Sequence, residues 1–166
     1  IVEDTVFAPC GAAYRVTGQV TVAAGAKVTV LPGTTLFFEA DAGLVLDGGT
    51  LDISGEEYAS VRLTRAPELQ GSWNGIQFNN STSDNRISHA VLEHASTEAG
   101  LVGLQSSRLT IDNTTLDHAD LFRVVTVDSS LVIRDSVFTD MFAPGEPPAS
   151  DNASEHIKGS GILAGG

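Results

Sequence analysis

Cysteine, tryptophan and methionine each occur once in this chain of 166 residues, and aromatic residues make up 6% of it. The single Cys10 excludes an internal disulfide, so the fold must rest on a buried apolar core. Lysine and arginine number nine against 21 acidic residues, which gives a net charge of −12. A chain this acidic lacks the basic stripe that nucleic acid requires. No apolar run is long enough for a membrane span. We therefore expect neither nucleic acid nor membrane insertion.

A degenerate repeat is the strongest pattern that is present. One segment occurs three times, with steps of about 24 and about 22 residues between the copies. The copies are residues 87–95, 111–119 and 133–141. A second marker, an apolar residue before a polar pair, begins at Phe78, Leu104 and Val127. Self-similarity with a period of roughly 20–30 residues indicates one small unit stacked on itself.

Short β-type runs fill each repeat, with apolar residues at alternate positions and Gly, Asn, Asp or Ser between the runs. This alternation puts one set of side chains into a core and the other into solvent. Three such strands and three turns account for the length of one repeat. We therefore predict an all-β fold, a right-handed parallel β-helix (solenoid) with about 22–26 residues per coil. The predicted inward stacks are Leu92, Leu116 and Phe138 on one side, and Phe78, Leu104 and Val127 on another.

The repeat is interrupted once, between Met141 and Gly161. Residues 143–158 are polar, acidic and rich in proline, which predicts a loop insertion. Length and composition otherwise fit a single domain over residues 1–166. Because the chain stops where another apolar strand is due, we expect a β-helix that is truncated at its C-terminal end. An open coil edge further predicts an end-to-end homodimer through the C-terminal coil.

Several segments of the chain resemble a known group of proteins. The opening of bacterial extracellular right-handed β-helix domains resembles three segments of this chain, which are residues 14–38, residues 43–51 and the motif Trp73-Asn-Gly-Ile-Gln-Phe78. Residues 86–94 are similar to the β-helix segments of large secreted proteins that also carry spore-coat-kinase-like or lamin-tail domains. The resemblance implies a secreted or cell-surface protein, and it implies fold more than activity.

One column of the repeat carries potential metal ligands. His94, His118 and Asp140 occupy equivalent positions on successive coils, so their side chains should be neighbours at about 4.8 Å. Two imidazoles and a carboxylate can bind zinc or another transition metal. The alternative is a structural ladder in which these residues hydrogen-bond the turn backbone. We expect no cofactor, and a divalent cation is the one alternative that the sequence leaves open.

Five further residues are candidates for ligand binding. They are Trp73, Glu93, Asp117, Glu155 and His156. Glu93 and Asp117 form a column of like charges, which indicates either solvent screening or a bound cation. Trp73 offers a surface for sugar stacking, with packing over a coil corner as the alternative. Glu155 and His156 lie in the predicted insertion, for which a solvated loop is the alternative.

The motifs of common enzyme classes are missing from the sequence, including a phosphate-binding glycine loop, a nucleophile elbow and a zinc-protease helix motif. Acidic pairs suited to glycoside hydrolysis arise by chance among 21 acidic residues. We therefore favour a non-catalytic structural or ligand-presenting β-helix module of a larger secreted bacterial protein, with carbohydrate or a surface as its ligand. The alternative is a polysaccharide-active enzyme, a lyase or glycoside hydrolase, with its site on the β-helix face beside residues 143–158.

Overall fold

The computed structural model describes residues 1–69, 71–95, 100–119 and 124–139 in full, and residues 155–163 as backbone. All regular elements in these ranges are β-strands. No described helix is long and apolar enough to cross a membrane. The strands pair in parallel with the strand one coil away, except at the C-terminal end. The all-β parallel β-helix predicted from the repeat is therefore confirmed.

Three faces surround the core, and each is a ladder of parallel strands. The first face comprises β1 (Thr5–Phe7), β4 (Lys27–Val30), β7 (Thr50–Ser54), β10 (Asn85–Ser88), β13 (Arg108–Asp112) and the start of β16 (Ser130–Thr139). The second face comprises β2 (Tyr14–Val16), β5 (Thr35–Phe38), β8 (Val61–Arg65), β11 (Ala90–Glu93), β14 (Thr115–Asp117) and the end of β16. The third face comprises β3 (Gln19–Ala23), β6 (Gly43–Asp47), β9 (Ile76–Asn79), β12 (Val102–Gln105) and β15 (Val124–Val127).

Inward columns of apolar side chains form the core, as the alternation predicts. Leu116 pairs in register with Leu92 on one side and Phe138 on the other. On the first face, Ile111 pairs in the same way with Ile87 and Ile133. All of these side chains are buried. Parallel stacking at about 4.8 Å brings each into contact with its equivalent one coil away, so the step of the repeat sets the core directly.

One member of a predicted stack was placed wrongly. Leu104 pairs with Phe78 as expected, but its partner in the next coil is Thr126. Val127 pairs with Gln105, points outward and is 49% exposed. The reason lies in the corner that follows the strand. The residues with left-handed φ at this corner are Asn80, Ser106 and Asp128. Asn80 and Ser106 are the second residues of their polar pairs, whereas Asp128 is the first residue of its pair. The predicted alignment is therefore shifted by one residue at Val127.

The central coil is longer than the coil length that the repeat predicts. Ile53 pairs in register with Ile87, although the segment between them exceeds one repeat step. One excursion, closed by a bridge between Glu56 and Ala59, carries Tyr58 at 94% exposure. Loops at coil corners thus contain the extra residues, while the strands keep their register. The coil length predicted from the repeat is therefore too short for this coil.

The C-terminal part of the chain reverses direction. Strand β17 (Glu155–Leu163) pairs antiparallel with β16, from Phe138 opposite Glu155 to Leu131 opposite Leu163. Residues 155–158 therefore belong to a strand, which corrects the end of the loop predicted at 143–158. Residues 143–154 lie outside the described ranges. The edge of β16 that the expected end-to-end pairing would use is occupied by the chain itself, and the homodimer stays a prediction.

Candidate functional site

The predicted histidine column lies at the corner that follows the second face. His94 and His118 come directly after β11 and β14 and adopt left-handed φ values of 61° and 48°. The backbone N–H of His94 donates to the carbonyl of Asp117 at 3.2 Å. The two ring centroids are 4.7 Å apart. The structure therefore brings the two imidazoles together as predicted, while Asp140 lies outside the described residues.

Asp117 fixes the His118 ring. Its Oδ2 is 2.8 Å from Nδ1 of His118, and its Oδ1 accepts hydrogen bonds from the His118 backbone N–H at 2.9 Å and the Thr139 hydroxyl at 2.7 Å. Burial opposes the charge of Asp117, but the hydrogen bonds from Thr139 and His118 outweigh it and lower the pKa of this carboxyl. The carboxylate is thus ionised and held in place.

His94 has a different electrostatic environment. Burial is the largest influence on this ring, and the nearby Arg65 adds to it, so the pKa of His94 is lowered. Glu93 acts in the opposite direction with a smaller effect. The neutral imidazole is therefore the form of His94 at neutral pH.

Glu93 has its own counter-charge. Its side chain is 10% exposed, and its Oε1 accepts hydrogen bonds from the Arg62 guanidinium, one of them from Nε at 2.9 Å. The column of Glu93 and Asp117 is therefore neutralised by Arg62 on one coil and contacted by His118 on the next. This arrangement satisfies the like charges without the cation that the sequence suggested.

Trp73 is a core residue. It is completely buried, its ring stacks on Phe38 with centroids 4.1 Å apart, and its Nε1–H donates to the carbonyl of Glu93 at 2.8 Å. A ring enclosed in this way cannot stack on a sugar, so the prediction of Trp73 as a ligand-binding residue is wrong and the packing alternative is correct.

The remaining candidates have less structural support. Glu155 and His156 lie in β17, opposite Phe138 and Val137, and their side chains are outside the description. Among the described residues, no group of three His, Cys, Asp or Glu side chains could hold a metal ion. The metal site predicted at His94, His118 and Asp140 stays a prediction, because Asp140 lies outside the described residues.

A groove on the outer side of the third face was missed by the sequence reasoning. Its volume is about 560 Å³, and it crosses all five strands of the face. Residues of every strand contribute to it, and none of the lining residues that the structure describes carries a charged side chain. They are Gln19, Gly43, Leu44, Val45, Asn74, Gly75, Gln77, Asn79, Gly103, Leu104, Gln105, Val125 and Val127.

Glycine residues help to create this groove. Gly103 pairs with Gln77 and Val125, so one outward position in the centre of the face carries no side chain. Gly75 closes one side with φ of 67°, where a Cβ atom would lie 2.6 Å from the carbonyl of Leu101. A larger residue would be strained at this position, so the close approach of successive coils requires glycine.

Gln77 has an unsatisfied polar group. Its Nε2 is enclosed and has no hydrogen-bond partner within the described part of the chain. Leaving such a donor unpaired costs about 1–3 kcal/mol, and native proteins tolerate this mainly where the group has another role. The polar pairs of the second marker, which begin at Asn79 and Gln105, were the sequence signal for this surface.

Comparisons with known protein families, with curated proteins and with solved structures find no match to this chain. The resemblance to bacterial extracellular β-helix domains therefore stays an expectation. The candidate site is defined by the chain's own geometry, which offers two surfaces: the uncharged groove of the third face and the histidine corner beside the second face.

Proposed function

We propose that this protein is a non-catalytic, ligand-presenting β-helix module that binds a neutral polysaccharide in the groove of the third face. The observation that carries the proposal is that none of the described lining residues of the groove is charged, in a protein with a net charge of −12. If this surface served only solubility, we would expect acidic side chains here as on the rest of the protein surface. An uncharged, amide-rich lining fits a ligand without charge.

The groove chemistry matches that of a glycan chain. Side-chain amides of Gln77, Asn79 and Gln105 offer both donors and acceptors, which suit sugar hydroxyl groups. Val45 and Val125 provide apolar surface for the C–H faces of sugar rings. Five strands at spacings of about 4.8 Å give the groove a length of roughly 19 Å. This length accommodates several consecutive sugar units rather than a single one.

The acidic residues of the second face do not favour catalysis. A glycosidase requires one carboxyl with a raised pKa as general acid and a second as base or nucleophile. The pKa of Asp117 is lowered, and Glu93 is paired with Arg62. Both carboxylates therefore serve as structural anions, which supports a binding role over the enzyme alternative.

The wider setting of the proposal follows from the resemblance of the sequence. Residues 14–38 and Trp73–Phe78 are similar to extracellular β-helix domains of bacteria. We infer a secreted or cell-surface location within a larger bacterial protein, where a rigid solenoid would hold the glycan at a fixed distance from neighbouring domains.

The test is a binding comparison between neutral and anionic polysaccharides. Isothermal titration should detect binding of a neutral glucan or mannan chain and none of pectate. Gln77→Leu removes the floor amide and Gly103→Val fills the depression, so each should weaken binding about 5–30-fold, the equivalent of about 1–2 kcal/mol.

Thr110→Val is the matched control, because Thr110 occupies a central outward position on the first face. It should leave the affinity unchanged. The proposal fails if no neutral polysaccharide binds, if pectate binds better, or if both groove variants bind as the unmodified protein does.

A further inference from the structure

We propose that the groove of the third face selects glycans whose sugars carry acetamido groups over glycans whose sugars carry hydroxyl groups alone. This inference rests on the proposed function and names the substrate class of the same site. An acetamido group is uncharged, and it combines a hydrogen-bond donor, an acceptor and an apolar methyl group. The groove offers a match for each of these three parts at neighbouring positions.

Two side-chain amides lie next to each other in the groove. Asn79 and Gln105 both line it and pair in register on neighbouring strands, one strand spacing of about 4.8 Å apart. Neither side-chain amide has a hydrogen-bond partner among the described residues. Each carboxamide offers N–H donors and a carbonyl acceptor. An acetamido group can therefore donate its N–H to one of the two amides and accept a hydrogen bond from the other.

A recess for the methyl group borders this pair of amides. Gly103 is the outward residue that precedes Gln105 on the same strand, and its in-register neighbours are Gln77 and Val125. Because glycine has no side chain, the groove is deeper at Gly103 than at either neighbour. Val125 adds apolar surface to one side of the recess. A methyl group buries apolar surface in such a place, whereas a hydroxyl group leaves the recess unfilled.

The surroundings of the amides also oppose an anionic substituent. Asp47 is the in-register neighbour of Asn79 on the preceding coil and lies just outside the groove lining. Its carboxylate would repel the carboxylate of a uronic acid. A substituent at this place is therefore expected to be neutral, and the acetamido group meets this condition while it uses both the amides and the recess.

A calorimetric comparison of two oligosaccharides of equal length tests the inference on the full chain. One ligand is a β-1,4-linked chain of N-acetylglucosamine and the other is the corresponding chain of glucose, so the two differ only in the group at C2. We expect the N-acetylated chain to bind at least about fivefold more tightly, as one additional hydrogen bond and a buried methyl group require.

Two variants assign this preference to the groove. Gln105→Leu removes one amide of the pair, and Gly103→Ala fills the recess with a methyl group of the protein. Each should reduce the ratio of the two affinities to about twofold or less. Thr110→Val, on the outward side of the first face, is the matched control and should leave the ratio unchanged. Circular dichroism and thermal unfolding check that all three variants fold.

The possible failures of this inference and of the proposed function are distinguishable. If the two oligosaccharides bind equally well, if the glucose chain binds better, or if both groove variants keep the full preference, the selection of acetamido groups is refuted while the groove still binds a neutral glycan. Binding of mannan without binding of the N-acetylated chain leads to the same conclusion. If neither oligosaccharide and no other neutral polysaccharide binds, the proposed function fails as well.

Discussion

The third face and the two other faces share one backbone plan but carry opposite surface chemistry. Outward positions on the first and second faces hold ion pairs, such as Lys27 with Asp52 at 2.7 Å and Arg62 with Glu93. The groove of the third face is lined by amides, glycines and valines. Because stacking dictates only the inward columns, each outward face is free to acquire its own chemistry. The difference therefore separates faces that stabilise the solenoid from the face that we propose binds a ligand.

The largest expected effect concerns the core that all faces share. Leu116→Ala should lower the free energy of unfolding by about 2–5 kcal/mol, because Leu116 is fully buried between Leu92 and Phe138. Denaturant-induced unfolding measures it. The outward neighbour Thr115 is the control, and Thr115→Ala should change stability by about 0.5 kcal/mol or less. Equal losses in the two variants would contradict the assignment of inward and outward columns.

On the first and second faces, breaking an ion pair should lower stability most where one partner is enclosed. Arg62→Ala leaves the buried carboxylate of Glu93 without its partner and should cost about 1–3 kcal/mol. Arg108→Ala breaks the exposed pair with Asp84 and should cost about 0–1 kcal/mol. Thermal and denaturant unfolding of the two variants provide the comparison. If Arg108→Ala lowered the free energy of unfolding more than Arg62→Ala, the burial of Glu93 would not explain the contribution of its ion pair to stability.

On the third face, removing the side-chain amide of Gln77 should not lower the stability of the protein. Gln77→Leu removes an enclosed donor that has no partner in the described residues, so stability should stay the same or rise by up to about 1 kcal/mol. Gln105→Leu, at an exposed position of the same face, should bring no gain. A clear loss of stability in Gln77→Leu would mean that this amide has a structural role and would remove one support of the proposed glycan site.

The smallest effect is the response of the first face to acid. Burial opposes the charge of Asp52, yet hydrogen bonds from Lys27 and Ser54 outweigh it and lower the pKa of this carboxyl. A lowered pKa contributes stability above the ordinary value of about 3.9, and this contribution is lost as the pH falls below it. The unmodified protein and Asp52→Asn should therefore differ more in their free energies of unfolding at pH 7 than at pH 3. An equal difference at both values would show that ionisation of Asp52 does not matter.

Much of the fold and part of the candidate site follow from the sequence. The period of the repeat predicted the column of Leu92, Leu116 and Phe138, and it predicted that His94 and His118 would be neighbours. Both predictions succeed for one physical reason. In a parallel ladder, residues at equivalent repeat positions lie one strand spacing apart, so a sequence period becomes a spatial contact.

Tertiary structure decided what the period does not encode. The sequence indicated strands on both sides of the central coil's loops, but only the structure shows that Ile53 pairs with Ile87 across them. Corner loops take up length without changing register, so no local pattern reveals where a coil closes. The burial of Trp73 against Phe38 and the groove around Gly103 depend on residues from different coils. Alternation in the sequence determines which side chains point outward, and the stacking of coils decides which of them form a site.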